Sequence, residues 1–147
     1  MSGQPARRFI RTYEDLDVYQ RAMDALMRVH RLVLNFPDYE KFDLAHQLRR
    51  SSKSVPANIA EGYAKKRSPK EFRAFLTNAL GSATEVEVHL KIACRLEYVG
   101  DHEARELIAE YEIIGKQLYR LIEHWRKLDS PRPTSDLSEP PREEPPT

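Results

Sequence analysis

Cysteine is almost absent from this 147-residue chain, and the single thiol of Cys94 excludes both an intramolecular disulfide and a zinc site built from several cysteines. No stretch approaches the ~18 consecutive apolar residues of a membrane span. The segment from Met1 to Asp17 also lacks the apolar run of a secretory signal. These absences predict a cytoplasmic protein in a reducing compartment, with no membrane among its partners.

The composition supports one folded domain flanked by two unstructured segments. Hydrophobic residues make up 40% of the chain, and six of its 10 prolines follow Leu128. We expect a flexible N-terminal arm over residues 1–12, a folded domain over 13–128 and a disordered, proline-rich acidic tail over 129–147. The tail carries five acidic and two basic residues, a net charge of −3, so the overall charge of +1 leaves +4 on residues 1–128.

The first predicted helix begins at Leu16 and ends near Asn35, where Phe36-Pro37 interrupts it. Its apolar residues form two adjacent rows with steps of three and four. The first row is Leu16, Tyr19, Met23, Leu26, His30 and Val33, and the second is Val18, Ala22, Ala25, Val29, Leu32 and Phe36. So wide an apolar face predicts more than two neighbours and favours oligomerisation.

The second predicted helix runs from about Phe42 to Lys65 and contains Pro56. Proline removes one backbone donor and crowds the carbonyl four residues earlier. We therefore expect a kink near Pro56, and both a bent continuous helix and two shorter helices remain open.

Ser68-Pro69-Lys70-Glu71 predicts the start of a third helix, with Ser68 as N-cap and Glu71 reaching back in a capping box. This helix extends to about Tyr98, and Gly81 inside it predicts the close approach of another helix. A fourth helix follows Gly100-Asp101. Its apolar seam is Leu107, Tyr111, Ile114, Leu118, Leu121, Trp125 and Leu128. Four such helices with short connections predict an all-α, antiparallel up-down-up-down four-helix bundle.

The run QLRRSSKSVPANIAEG, residues 47–62, resembles the signature of bacterial four-helix bundle proteins encoded in intervening sequences of 23S rRNA genes. Flanking features agree from about Tyr13 to Lys127. The residues that carry the resemblance include Gln47, Pro56, Asn58, Glu61 and Gly62, then Gly81, Ser82 and Glu85. The resemblance implies a homo-oligomeric ring, expected to be a pentamer. The family is more distantly similar to accessory proteins of diversity-generating retroelements, which bind a reverse transcriptase and nucleic acid.

Polar residues of this motif recur at helical spacing beside the apolar stripe of the second helix. They are Gln47, Ser51, Ser54, Asn58, Glu61 and Lys65. A hydrogen-bonded helix or subunit interface is favoured over a ligand site, and a catalytic site is disfavoured further. In an antiparallel pair of helices, Asn58 and Glu61 are expected to approach Ser82 and Glu85.

Nothing in the sequence predicts catalysis, a metal or a cofactor. Glu85 and His89 have an offset of four rather than the three of the Glu-x-x-His motif of a di-iron bundle, and Asp101-His102-Glu103 lies at a helix start, where acidic residues favour the helix dipole. No phosphate-binding loop and no nucleophile elbow is present. We therefore expect a protein that is not an enzyme.

Positive charge concentrates in two places. The first basic cluster is Arg49, Arg50 and Lys53, and the second basic cluster is Lys65, Lys66, Arg67, Lys70 and Arg73. Solvated helix surfaces are the ordinary interpretation, whereas the resemblance favours contacts with phosphate. Aromatic residues do not alternate with these charges in the sequence, which argues against base stacking. The favoured function is an oligomeric bundle that binds the RNA or DNA backbone, or a nucleoprotein partner such as a reverse transcriptase. The alternative is a ring that binds protein only.

Overall fold

A computed structural model describes residues 9–129 and shows four α-helices. They are α1 (Asp17–Leu32), α2 (Leu44–Ala64), α3 (Pro69–Arg95) and α4 (Asp101–Asp129). Short 3₁₀ turns cover Tyr13–Asp15, Val33–Asn35 and Asp38–Glu40. Residues 9–129 contain no strand, so the predicted all-α class with four helices is confirmed. The arm was predicted over residues 1–12 and the tail over 129–147; residues 1–8 of the arm and 130–147 of the tail lie outside the described residues.

Local hydrogen bonds define both ends of α3. Ser68 Oγ accepts a hydrogen bond from the Glu71 backbone N–H at 3.2 Å, and Pro69 is the first residue of α3. At the other end of α3, Glu97 adopts a left-handed conformation with φ 62°. The Tyr98 N–H then reaches the Ala93 carbonyl at 3.0 Å, which closes a Schellman motif. This motif ends α3 at Arg95, before the expected Tyr98.

Contacts between helices that follow one another in the chain show their relative directions. Near the α2–α3 connection Gly62 meets Phe72, and Ser54 meets Ser82 midway along the two helices. Across α3 and α4, Arg73 pairs with Asp129 near the start of α3, while Cys94 lies beside Asp101 near its end. Helices α2 and α3 are thus antiparallel, and so are α3 and α4.

Both apolar rows of α1 are used within the monomer. All six residues of the second row are buried, and Leu16, Leu26 and Val33 of the first row are buried as well. The wide face of α1 packs against α2 and α4 of the same chain. This face is therefore already covered within the monomer. It does not support the oligomer that was predicted from it.

Helix α2 continues through Pro56, so a continuous helix is the alternative observed. The expectation for Gly81 is wrong, because a Cβ atom at that position would have no neighbour within 4 Å. Close approach occurs at Gly62 instead. A Cβ there would lie 2.8 Å from Phe75 Cβ and 2.9 Å from Phe72 Cδ2. The rotation of α3 about its axis points Gly81 to solvent and brings Phe72 against α2.

The described helices include none that is long and apolar enough to cross a membrane.

Candidate nucleic-acid interface

The first basic cluster lies on the exposed side of the first half of α2. Arg49 is half-buried, and its Nη2 donates to the Lys41 carbonyl at 2.7 Å. Arg50 and Lys53 are exposed, and no residue in 9–129 forms an ion pair with either. This cluster therefore presents two free cations and one that is anchored to the α1–α2 connection.

His30 of α1 joins this cluster, and sequence reasoning did not associate it with the site. Burial lowers the pKa of His30, and the positive charges of Lys53 and Arg49 lower it further. His30 and Arg49 line a cavity of about 340 Å³ together with Lys41. Within the part of the chain that is described, the buried His30 Nε2 has no hydrogen-bond partner. The carboxylate of Asp38 lines the same cavity, so the cavity carries charges of both signs.

The second basic cluster occupies the end of α2, the turn that follows and the start of α3. Four of its residues are exposed and form no ion pair with any acidic side chain of residues 9–129. They are Lys65, Lys66, Arg67 and Lys70. Because the turn is short, these charges share one end of the bundle.

Arg73 differs from the other members of the second basic cluster. Its Nη2 lies 2.6 Å from Asp129 Oδ2, and its Nε donates to the Pro69 carbonyl at 3.4 Å. Asp129, which was expected to begin the tail, is the last described residue of α4 and partly neutralises Arg73. The side chain of Arg73 is only 23% exposed, so it is the member of the cluster least accessible to phosphate.

The structure does not bring the two clusters together. Lys53 and Lys65 are the members of the two clusters that lie nearest in the sequence. They are 12 positions apart, and Lys65 directly follows the last residue of α2, which corresponds to ~18 Å at 1.5 Å per residue. Each cluster must therefore act as a separate contact region along the bundle.

Aromatic rings lie directly beneath the second basic cluster, contrary to the expectation from sequence order. Lys66 Nζ lies 3.9 Å from the centroid of the Tyr63 ring and 2.8 Å from its hydroxyl. Lys65 Nζ lies 4.8 Å from the centroid of the Phe75 ring. Tyr63 and Lys66 are three positions apart, so their contact could have been predicted from the sequence. The contact between Lys65 and Phe75 could not, because it depends on how α2 packs against α3.

Only part of the predicted polar motif forms a network. Asn58 Nδ2 donates to the Ser54 carbonyl at 2.8 Å and lies 2.9 Å from Ser54 Oγ, which is itself 2.9 Å from Ser82 Oγ. Glu61 is exposed outside this network, and Glu85 pairs with His89 at 3.2 Å. The expected meeting of Asn58 with Ser82 therefore occurs through Ser54, and the two glutamates take no part in it.

The remaining motif residues have local roles. Gln47 Nε2 donates to Asp43 Oδ1 at 3.3 Å, and the backbone carbonyl of Gln47 accepts from Ser51 Oγ at 2.7 Å. Pro56 and Gly62 are buried, the latter at the α2–α3 contact, and Gly81 is exposed on α3. Among these residues, Gly62 is the one that the structure places at a contact between helices.

Clusters of three or more His, Cys, Asp or Glu side chains that could hold a metal ion do not occur in residues 9–129. The Cys94 thiol is half-buried and lies 3.7 Å from Asp101 Oδ1.

Comparisons with known proteins bear on the fold and on the family. The family model for the "23S rRNA-intervening sequence protein" matches residues 14–120. A crystal structure from Bacteroides thetaiotaomicron, described as a protein with unknown function from the S23 ribosomal protein family, is similar with a TM-score of 0.64 and 26% identity. The similarity covers 72% of this chain and 98% of that chain. No curated protein matches the chain.

Proposed function

The chain belongs to the 23S rRNA-intervening sequence protein family, and we propose that it is a non-enzymatic helical bundle that binds the backbone of RNA or DNA. One observation carries the proposal. Lys65, Lys66, Arg67 and Lys70 project from one end of the bundle without an acidic partner among residues 9–129. Unpaired, clustered cations of this kind form the electrostatic footprint of phosphate binding.

Contacts of this type position a protein on nucleic acid without reading its sequence. Lysine and arginine neutralise phosphates and release condensed counterions, so the affinity falls as salt rises. Four free cations in one monomer predict modest affinity and little sequence preference. A nucleoprotein complex is an equally suitable partner, because it presents the same phosphates.

We further propose that several copies assemble, with a pentamer as the expectation from the family. Val88 and Ile92 lie one turn apart on α3 and are 48% and 41% exposed. They line a groove of about 420 Å³ between α3 and α4, together with Ile108 and Ala104. An apolar groove on a face that the monomer leaves open suits a second copy of the chain. Assembly would repeat the second basic cluster and raise avidity without any new contact.

Fluorescence anisotropy with a labelled RNA tests the proposal across a salt series. Changing Lys65, Lys66 and Arg67 together to Glu should abolish binding at moderate salt. The matched control changes three exposed cations outside both clusters, Arg31, Lys116 and Arg120, to Glu, so the net charge changes equally. We expect the control to retain most of the affinity, because net charge alone does not form a contact region.

Three results would contradict the proposal. They are the absence of binding at low salt, a signal that does not respond to salt, and equal losses in the two triple variants. The first would favour a bundle that binds protein only, with the α3–α4 groove as its contact surface. Sedimentation of the wild type and of Ile92→Glu tests the assembly, and a wild type that is monomeric at micromolar concentration would exclude it.

A further inference from the structure

The rings of Tyr63 and Phe75 are the unexplained feature of the second basic cluster. Both are half-buried, and each has a lysine ammonium over its ring, at 3.9 Å from the Tyr63 centroid and 4.8 Å from the Phe75 centroid. Lys65 and Lys66 are exposed, so their ammonium groups approach the two rings from the solvent side. One face of each ring is therefore directed at the surface rather than into the core.

The two rings emerge from the same contact between helices. Tyr63 follows Gly62, where α3 packs so closely against α2 that a Cβ atom would lie 2.8 Å from Phe75 Cβ. On its inner side Tyr63 meets Phe72 edge-on at 6.3 Å, and Phe72 meets Trp125 in the same way at 4.8 Å. The inner rings thus hold Tyr63 in place, so it is a preformed platform.

A surface that combines ring faces with mobile cations matches the chemistry of an unpaired nucleotide. A base offers a flat π-surface for the ring, and the adjoining phosphate offers a charge for the ammonium. In a duplex the base faces are stacked on one another and inaccessible, so a duplex can use only the lysines.

We propose that the second basic cluster is a site for single-stranded nucleic acid, in which bases stack on Tyr63 and Phe75 while Lys65 and Lys66 move from the rings to the flanking phosphates. This inference rests on the proposed binding of the nucleic-acid backbone and adds the class of strand that is preferred.

The experiment compares three probes with equal numbers of phosphates at one salt concentration. They are an intact single strand, an abasic strand and a blunt duplex. We expect the intact strand to bind between about tenfold and about 100-fold more tightly than the abasic strand, since each stacked base contributes roughly tenfold and two rings are available. The duplex should behave like the abasic strand. Parallel RNA and DNA probes show whether the sugar matters.

Substitutions assign the effect to the rings. Tyr63→Leu should lower affinity for the intact strand toward that of the abasic strand and leave abasic binding unchanged, whereas Tyr63→Phe should retain affinity because it keeps the ring. Tyr119→Leu is the matched control, since Tyr119 is 58% exposed on α4 outside the cluster. Circular dichroism of each variant verifies folding.

The outcomes separate this inference from the proposed function. Equal affinity for intact and abasic strands, a preference for duplex, or unchanged binding by Tyr63→Leu would overturn the stacking site and leave backbone binding in place. Failure of all three probes to bind at low salt would overturn both.

Discussion

Replacing Gly62 with Ala should destabilise the bundle, whereas the same replacement at Gly81 should stabilise it. Alanine improves helix propensity at either position by roughly 0.5–1 kcal/mol. At Gly81 the new methyl meets nothing within 4 Å, so we expect the full gain. At Gly62 it would lie 2.8 Å from Phe75 Cβ and 3.3 Å from the Phe72 carbonyl oxygen. Neither is the end of a flexible side chain, so α3 must shift.

Overpacking of this kind costs about 1–3 kcal/mol, and the rigid neighbours place Gly62 in the upper part of that range. After subtracting the propensity gain, the expected net loss is about 1–2 kcal/mol. For a domain of this size, 1 kcal/mol moves the Tm by about 3–5 °C. Thermal unfolding followed by circular dichroism should therefore place the Gly62→Ala variant below the wild type and the Gly81→Ala variant above it.

Sedimentation of the three proteins serves as the control, because a change in assembly would alter the Tm by mass action. A shift of the Tm in the same direction for both variants would contradict the different surroundings of Gly62 and Gly81. A marked loss for Gly81→Ala with unchanged assembly would show that another element packs on the outer face of α3.

Three further changes have defined signs. Glu97→Gly should raise stability by about 1 kcal/mol, measured by urea unfolding, because glycine adopts the left-handed conformation of the α3 C-terminus without strain. Glu87→Gln should raise the Tm at pH 7 but not near pH 4; burial and the charge of Glu112 raise the pKa of Glu87 above 4.5, so the wild type loses stability as pH rises through that raised pKa. Burial and nearby cations lower the pKa of His30, so the wild type loses stability as pH falls below about 6.5 and His30 becomes protonated. The His30→Gln variant should lose less stability over the same pH range. An unaltered urea midpoint would contradict the expectation for Glu97→Gly, and a Tm gain that persists at pH 4 would contradict that for Glu87→Gln. Parallel pH profiles of the wild type and His30→Gln would contradict the third.

The features predicted correctly from sequence are those that depend on near neighbours in the chain. Ser68 and Pro69 mark the start of α3 because an N-cap acts on the next three residues, and the periodic seam of α4 is buried from Leu107 to Leu118. The end of α3 was missed, since a left-handed Glu97 replaces the glycine that usually signals such a cap.

The features that sequence reasoning missed depend on how one helix is rotated against another. Spacing alone could not show that Gly62 rather than Gly81 faces a neighbouring helix, or that Phe75 lies beneath Lys65 of another helix. The wide face of α1 was interpreted as a surface for a second chain, although helices of the same chain cover it. The basic clusters themselves were visible as local runs of charge.

The packing of Trp125 on Phe72 allows the length of α3 to be measured by fluorescence energy transfer. The chain has one tryptophan and one cysteine, and Trp125 lies near the start of α3 while Cys94 lies near its end. The 22 residues from Phe72 to Cys94 span ~33 Å of helix. Energy transfer from the indole to a dye on the thiol therefore reports this length within one subunit. Cys94 also lines the α3–α4 groove, so the reactivity of the thiol toward the dye reports whether a second copy covers that groove.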